Sequence, residues 1–243
     1  MVKRLTTRRR NTGPAKYVML IIVTVVAVAL CYASKSRITD VNLKVVEIDP
    51  SQVEIRSVIA LNKQETFTGM MDRLHPYAAI NGTYYDHDWK PLGDILIDGK
   101  LVNRGAQRHA IAITKSGKID FIRRKGKKFN WSGYWMGLAA GPRLVHKGKI
   151  TLDPVADGFS RRSLEIKAWR SGVGKTAKGK LLFVTAQESL TLKQFAQKMQ
   201  NLGAVEAMNL DGGGACALYR KGDYLAIPTL RMTNLLVVYK KKK

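Results

Sequence analysis

The segment Asn209-Leu-Asp-Gly-Gly-Gly-Ala-Cys-Ala-Leu218 places a carboxylate directly before three glycines, between apolar residues. If the chain enters as a strand, the pleat puts Asn209 and Asp211 on one face and Leu210 on the other. Gly212, Gly213 and Gly214 can take positive φ and let a ligand approach the backbone. Successive N–H groups around such a turn form a nest for an anion. A carboxylate beside that nest suits acid–base or nucleophilic work on a phosphorylated substrate. The same letters also describe a tight hairpin with a β-bulge, in which Asp211 only caps the turn.

Other chemistry-bearing residues are less ordered. Gly172-Val-Gly-Lys-Thr176 resembles the end of an ATP-binding loop, but the glycine required five positions before Gly174 is replaced by Trp169. Asp86, Asp88, Asp94 and Glu188 are available as a second carboxylate, and spacing does not rank them. His87 and His109 lie beside charged residues, the usual setting of solvated or structural histidines. No H-E-x-x-H spacing occurs and Cys216 stands alone beyond residue 33, so neither a metal nor a cofactor is expected.

A set of motifs in order gives the carboxylate a context. Ala79-Ile-Asn-Gly-Thr-Tyr-Tyr-Asp86 is followed by Pro91-Leu-Gly-Asp94, Ala140-Gly-Pro-Arg-Leu-Val145, Trp169-Arg-Ser-Gly-Val-Gly174 and Asn209-Leu-Asp-Gly-Gly-Gly214. Over residues 78–239 this set resembles the phosphodiester glycosidase family, whose sequences read approximately NGGFF, PLG, AGPxLV, RTAIG and NLDGGGS. The resemblance implies hydrolysis of the bond between an anomeric carbon and a phosphodiester oxygen. It makes Asp211, Arg170 and Asn81 the candidate catalytic residues. Gly82, Tyr85, Arg143 and Gly212 to Gly214 become candidates for substrate binding. On such a substrate the planar fork of Arg170 would hold two phosphate oxygens. Asp211 would serve as nucleophile, base or stabiliser of an oxocarbenium-like centre. Asn81 would orient a sugar hydroxyl or the phosphate, unless it only makes an Asx turn. Three positions depart from the pattern: Thr83 replaces a frequent glycine, Gly172 a small alanine, and Ala215 the usual serine. The alanine would take a hydroxyl out of the site and leaves open a non-catalytic binding module for anionic polysaccharide. A phosphodiesterase cleaving P–O is a third reading.

The elements that must position these residues are mostly strands. Val41–Ile48 and Val53–Ile59 alternate apolar and polar residues and are expected to pair through Asp49-Pro50-Ser51. Residues 94–102 read as a hairpin because Asp98-Gly99 favours a type I′ turn, and residues 110–122 read as another. Tyr77–Ile80, Leu138–Val145, Leu181–Ala186 and Val205–Leu210 are further strand candidates, and residues 66–74 suit a short helix. A second helix is signed by a Thr191/Gln194 capping box, by Leu192, Phe195, Ala196, Met199 and Leu202 on one face, and by Gly203 at its end. The basic, aromatic stretch 123–134 is expected as a loop. It either grips an anionic polymer, with Trp131 and Trp135 stacking on sugars, or tucks those aromatics into the domain. The pattern is that of a mixed, strand-rich single α+β domain with few helices, preceded by one N-terminal membrane helix.

The chain has 243 residues and a net charge of +24. With the ten basic residues near its two ends set aside, 32 basic residues still face 18 acidic ones. Such a field favours anionic partners, here an anionic sugar-phosphate or polysaccharide substrate. No zinc-finger spacing, arginine-rich helix or RNP-like motif supports nucleic acid. Residues 17–33 carry no charge and follow six basic residues. As a helix they would span about 25 Å, near the minimum for a membrane crossing. The expected division is therefore a basic cytoplasmic tail over 1–16, a signal anchor over 17–33 in the inner membrane, an exported domain over 34–239 and a basic tail over 240–243. That topology places the domain in the periplasm or outside the cell.

Overall fold

Strands that are apolar at every position need cover on both faces, and three sheets of this protein obtain it in the same manner. The computed structural model describes residues 42–124 and 126–241. The basic tail 1–16, the apolar span 17–33 and the last two lysines lie outside the described residues. No described helix is long and apolar enough to cross a membrane.

The first sheet has six strands in the order β1 (Leu43–Ile48), β12 (Leu181–Leu190), β11 (Ala168–Thr176), β13 (Ala204–Asn209), β9 (Arg143–His146), β10 (Lys149–Ile150). The second runs β15 (Asp223–Ala226), β14 (Leu218–Arg220), β3 (Ala78–Asn81), β16 (Asn234–Lys240), β2 (Val53–Ile59). The third runs β5 (Lys100–Asn103), β4 (Ile95–Ile97), β8 (Tyr134–Ala140), β6 (His109–Thr114), β7 (Ile119–Arg123). The described ladders are antiparallel.

The pleat sorts each strand's apolar residues between two destinations. Leu181 and Phe183, Ile80 and Leu236, and Ile111 and Leu138 enter one shared core where the sheets meet. Their neighbours in sequence face outward and are covered separately. Leu182 and Val184 meet α2 (Leu192–Asn201) through Leu192, Phe195 and Met199. Ala79 and Val237 meet α1 (Phe67–Leu74) through Phe67, Met70 and Met71. Ala110 and Ala139 are covered by Phe129 and Trp131 from the 123–134 loop. That loop therefore tucks its aromatics inward, and Trp131 Nε1 donates to Asp94 Oδ2 at 3.0 Å.

The capping box at Thr191 and Gln194 is formed, and Thr66 caps α1 by accepting from Gly69 N at 3.1 Å. Asp98 and Gly99 take φ of 50° and 74°, as a type I′ hairpin demands. Two expectations are corrected. The strands on either side of Asp49-Pro50-Ser51 do not pair: β1 lies on β12 and β2 on β16. Asp49 instead accepts from Ser51 N and pairs with Lys180 at 2.6 Å, which steers the chain from one sheet to another. The apolar run 138–145 is likewise two strands, because at Gly141-Pro142 the chain leaves the third sheet for the first.

Candidate active site

Asp211 stands two residues beyond Asn209, the last residue of β13. Gly172 of β11 pairs with Asn209, and Leu210 N donates to Ser171 O at 2.8 Å. That register, continued, sets Arg170 across from Asp211 on the same face of the sheet. On the other side of β13, Asn209 exchanges hydrogen bonds with Gly141 N and Pro142 O, both at 3.0 Å. The carboxylate thus emerges at the end of the middle strand of three.

A fourth stretch closes the group from the second sheet. Asn81 ends β3, is 1% exposed and acts as a clamp. Its Nδ2 donates to Asp211 O at 2.8 Å and its Oδ1 accepts from Ala217 N at 3.1 Å, so both ends of the glycine turn are held. Asp211 N donates to Gly82 O at 3.1 Å. Gly82 has no room for a side chain, because a Cβ would lie 1.9 Å from Asn234 Oδ1. Asn234 in turn accepts from Thr83 N at 2.7 Å.

The three glycines have different tasks. A Cβ on Gly212 would meet the Trp169 carbonyl at 2.8 Å, and one on Gly214 would meet Thr229 Oγ1 at 2.5 Å. Gly213 has φ of 59° and faces open space, so its need is conformational. Gly212 N donates to Asp211 Oδ1 at 2.9 Å, while Ala215 N and Cys216 N bond back to the carbonyls of Gly212 and Gly213. The N–H groups of Gly213 and Gly214 have no protein acceptor among the described residues, which leaves two donors beside the carboxylate.

Burial pushes the Asp211 pKa up to about 6, and the hydrogen bond from Gly212 N offsets only part of that. Arg170 is 8% exposed. Its Nε donates to Leu190 O at 2.9 Å and its Nη2 to Ile166 O, which leaves three of a guanidinium's five N–H donors uncommitted. Among the described residues it has no carboxylate partner. Burial lowers its pKa, while Tyr84 and Cys216 act in the opposite sense. A desolvated guanidinium without a counter-charge is a ready place for an anion.

Tyr84 and Cys216 lie within electrostatic reach of both Asp211 and Arg170. The Tyr84 hydroxyl donates to Gly141 O and accepts from Asn209 Nδ2, each at 2.7 Å. Burial and then the charge of Asp211 raise its pKa, so it stays neutral. Burial pushes the Cys216 thiol up to about 12, which removes thiolate chemistry at neutral pH. Tyr85 flanks the same carboxylate: burial and then Asp211 raise its pKa, and its ring stacks on Trp89 at 5.2 Å. Arg143 begins β9, and its Nε is buried without an acceptor.

The other carboxylates are occupied elsewhere. Asp94 is 3% exposed, and its oxygens accept from Gly105 N and Trp131 Nε1. Asp86 caps its own turn through Asp88 N and Lys90 N, Asp88 pairs with exposed His87, and Glu188 pairs with Lys198. His109 bonds Asp157 at 2.7 Å in a buried pair, and the second oxygen of Asp157 accepts Arg143 N at 3.0 Å. Burial opposes the charge of Asp157, but these hydrogen bonds and Arg123 outweigh it and lower its pKa. Among the described residues no group of three or more His, Cys, Asp or Glu could hold a metal ion. Sequence reasoning missed Tyr84 as a bridge, and Asp157 altogether; Tyr84 was marked only by adjacency to Asn81-Gly82, and Asp157 by nothing local.

Ala215 is 1% exposed and packs in the apolar cluster under α1, with Phe67, Met70 and Ala217. Restoring the serine of the family pattern is therefore expected to lower stability by about 1–2 kcal/mol, through an unsatisfied hydroxyl. Turnover should change less than threefold; denaturant unfolding and initial rates check both.

The strand-rich α+β domain thus sets a half-buried carboxylate and a buried guanidinium across one register, the guanidinium without a carboxylate partner among the described residues. A family model, phosphodiester glycosidase, matches residues 75–239. The chain belongs to the phosphodiester glycosidase family, a family of hydrolases acting on sugar phosphodiesters. Three solved structures share the fold. A hypothetical protein from Synechocystis aligns with TM-score 0.74 and 18% identity, over 82% of this chain and 59% of that one. The catalytic domain of zebrafish N-acetylglucosamine-1-phosphodiester alpha-N-acetylglucosaminidase, auto-inhibited by its pro-peptide, aligns with TM-score 0.67 and 18% identity, over 82% and 84%. A putative exported protein of Burkholderia pseudomallei aligns with TM-score 0.62 and 13% identity, over 81% and 73%. This chain therefore spans well under two thirds of the Synechocystis protein. No curated protein matches it by sequence.

Proposed function

We propose that this protein cleaves the glycosidic C–O bond of sugar-1-phosphodiesters, with Asp211 and Arg170 as the working pair. The observation that supports this reading is the strand register that sets Asp211 across from a buried guanidinium with no carboxylate partner among the described residues. Ionised Asp211 faces the positive charge that develops at the anomeric carbon, as nucleophile or as base toward water. Arg170 receives the departing phosphate, whose oxygen takes the bonding electron pair, and the open N–H groups of Gly213 and Gly214 lie ready for a further phosphate oxygen. Water supplies the hydroxyl of the released sugar and the proton of the phosphomonoester. Asn81 holds the turn rather than the substrate, since its amide is spent on Asp211 O and Ala217 N. Trp169, exposed beside Gly212, offers a face for a sugar ring where Trp131 does not.

Hydrolysis in ¹⁸O-water tests the reaction type. Label in the sugar supports glycosidic cleavage, and label in the phosphate would assign a phosphodiesterase instead. The buried methyl of Ala215 removes the main argument for a non-catalytic binding module. We further propose that the apolar span 17–33 anchors the chain in the inner membrane with its N-terminus in the cytoplasm, and that envelope glycans or exopolysaccharide are the substrates. The basic flank and the positive domain support this. Protease shaving of intact spheroplasts should remove the domain; a protected domain would refute the topology.

A further inference from the structure

Three arginines surround a cavity of about 450 Å³ apart from Asp211: Arg108, Arg123 and Arg124, with Gly126 at its margin. Strand pairing brings them together, since His109 pairs with Arg123 at the ends of β6 and β7 and Arg124 N donates to Arg108 O at 3.1 Å. Arg108 Nη1 and Arg123 Nη2 both donate to Ala156 O, at 2.6 and 3.0 Å. The nearest counter-charge is Asp157, 3.6 Å from Arg123 and already bonded to His109. Arg108 and Arg124 have no carboxylate partner among the described residues, and Arg124 Nε is buried without an acceptor. Three guanidiniums around one space, with a single shared carboxylate, are held together at a cost that a bound anion would relieve.

The segment that receives these arginines also touches the candidate active site. Asp157 accepts Arg143 N, and the Phe159 ring lies edge-on to Tyr84 at 5.7 Å. Ala156 and Phe159 are three residues apart, at most about 10 Å of extended chain. The bond from Phe159 N to Pro154 O folds the segment and shortens that reach.

We propose that this cavity is a second phosphate subsite. It takes the neighbouring phosphodiester of a polymer with repeating glycosyl phosphates while Arg170 holds the one being cleaved. The inference rests on the hydrolase reading above and narrows its substrate class from single diesters to poly(glycosyl phosphate). Planar forks suit the paired oxygens of a phosphodiester, and three of them can share one phosphate without a metal.

The test compares the full chain on a capped diester with one phosphate and on an oligomer with three. The oligomer is expected to show a KM about tenfold lower. Arg124→Gln should remove that advantage and leave turnover of the one-phosphate compound unchanged. Equal KM values in the parent, or an equal loss on both compounds, would overturn the subsite. Binding gives an independent readout: the oligomer should bind the Asp211→Asn chain about tenfold more tightly than the Asp211→Asn, Arg124→Gln double variant. If no diester is hydrolysed, the hydrolase reading fails while this titration still reads the cavity. An unchanged Kd would then overturn the subsite by itself.

Discussion

Replacing Asp211 with asparagine is expected to abolish hydrolysis and, at neutral pH, to make the protein more stable. Activity should fall by at least about 10⁴-fold, the scale on which enzymes lose rate when a nucleophile or base is removed. The gain in stability follows from linkage. Burial raises the folded pKa of Asp211 to about 6 from an ordinary 3.8, so the fold prefers the protonated acid. The wild type is penalised progressively as pH rises from about 3.8 to about 6, and carries the full penalty above that window. A difference of this size corresponds to at most about 3 kcal/mol. Asparagine keeps an oxygen for Gly212 N and carries no charge to desolvate. Thermal unfolding at pH 7.5 should show a Tm raised by a few degrees, and the gain should vanish near pH 4. Activity of the parent should rise through about pH 6, because the working form is ionised. A rate that instead falls above pH 6 would make Asp211 the general acid and reverse its assigned role.

Arg170→Lys should cost about 10²–10³ in kcat while the fold persists. Lysine keeps the charge but not the fork: one ammonium cannot reach Leu190 O and Ile166 O and also present donors to a phosphate. The loss should shrink for diesters whose departing phosphate is a weaker base, since those need less help to leave. A uniform loss across leaving groups would make Arg170 a positioning residue for β11. A loss under threefold would remove it from the site.

What could be read from the sequence was what neighbours in sequence decide. The Asp98-Gly99 hairpin and the Thr191/Gln194 box are local devices with their own hydrogen bonds, and both appear as expected. The alternation in 43–59 identified two strands, but pairing depends on partners more than a hundred residues away, and both strands found them in different sheets. The site divides in the same way. Asp211 was conspicuous because glycines follow it. Arg170 became so only through the ordered motif set, and its lack of a carboxylate partner among the described residues is a property of the folded chain that no spacing displays. Asp94 and Glu188 were as eligible for a second carboxylate as Asp86 and Asp88, and only their partners, Trp131 with Gly105 and Lys198, take them out of the chemistry. Tyr84 and Asp157 matter through contacts with Asn209 and His109, which lie 125 and 48 residues distant.

The grip of Asn234 on Thr83 joins residues 151 apart, and Asn234 begins β16, a strand seated between β3 and β2. Long-range closures of this kind are slow, because loop entropy is lost before the contact rewards it. During folding, β3 gains its central neighbour only when a strand from far along the sequence docks beside it. The Asn81–Gly82 corner and the turn it clamps can reach their final places only then. The corner that clamps the carboxylate turn is therefore tied to the docking of β16, so a change that loosens β16 reaches the site as well as the sheet.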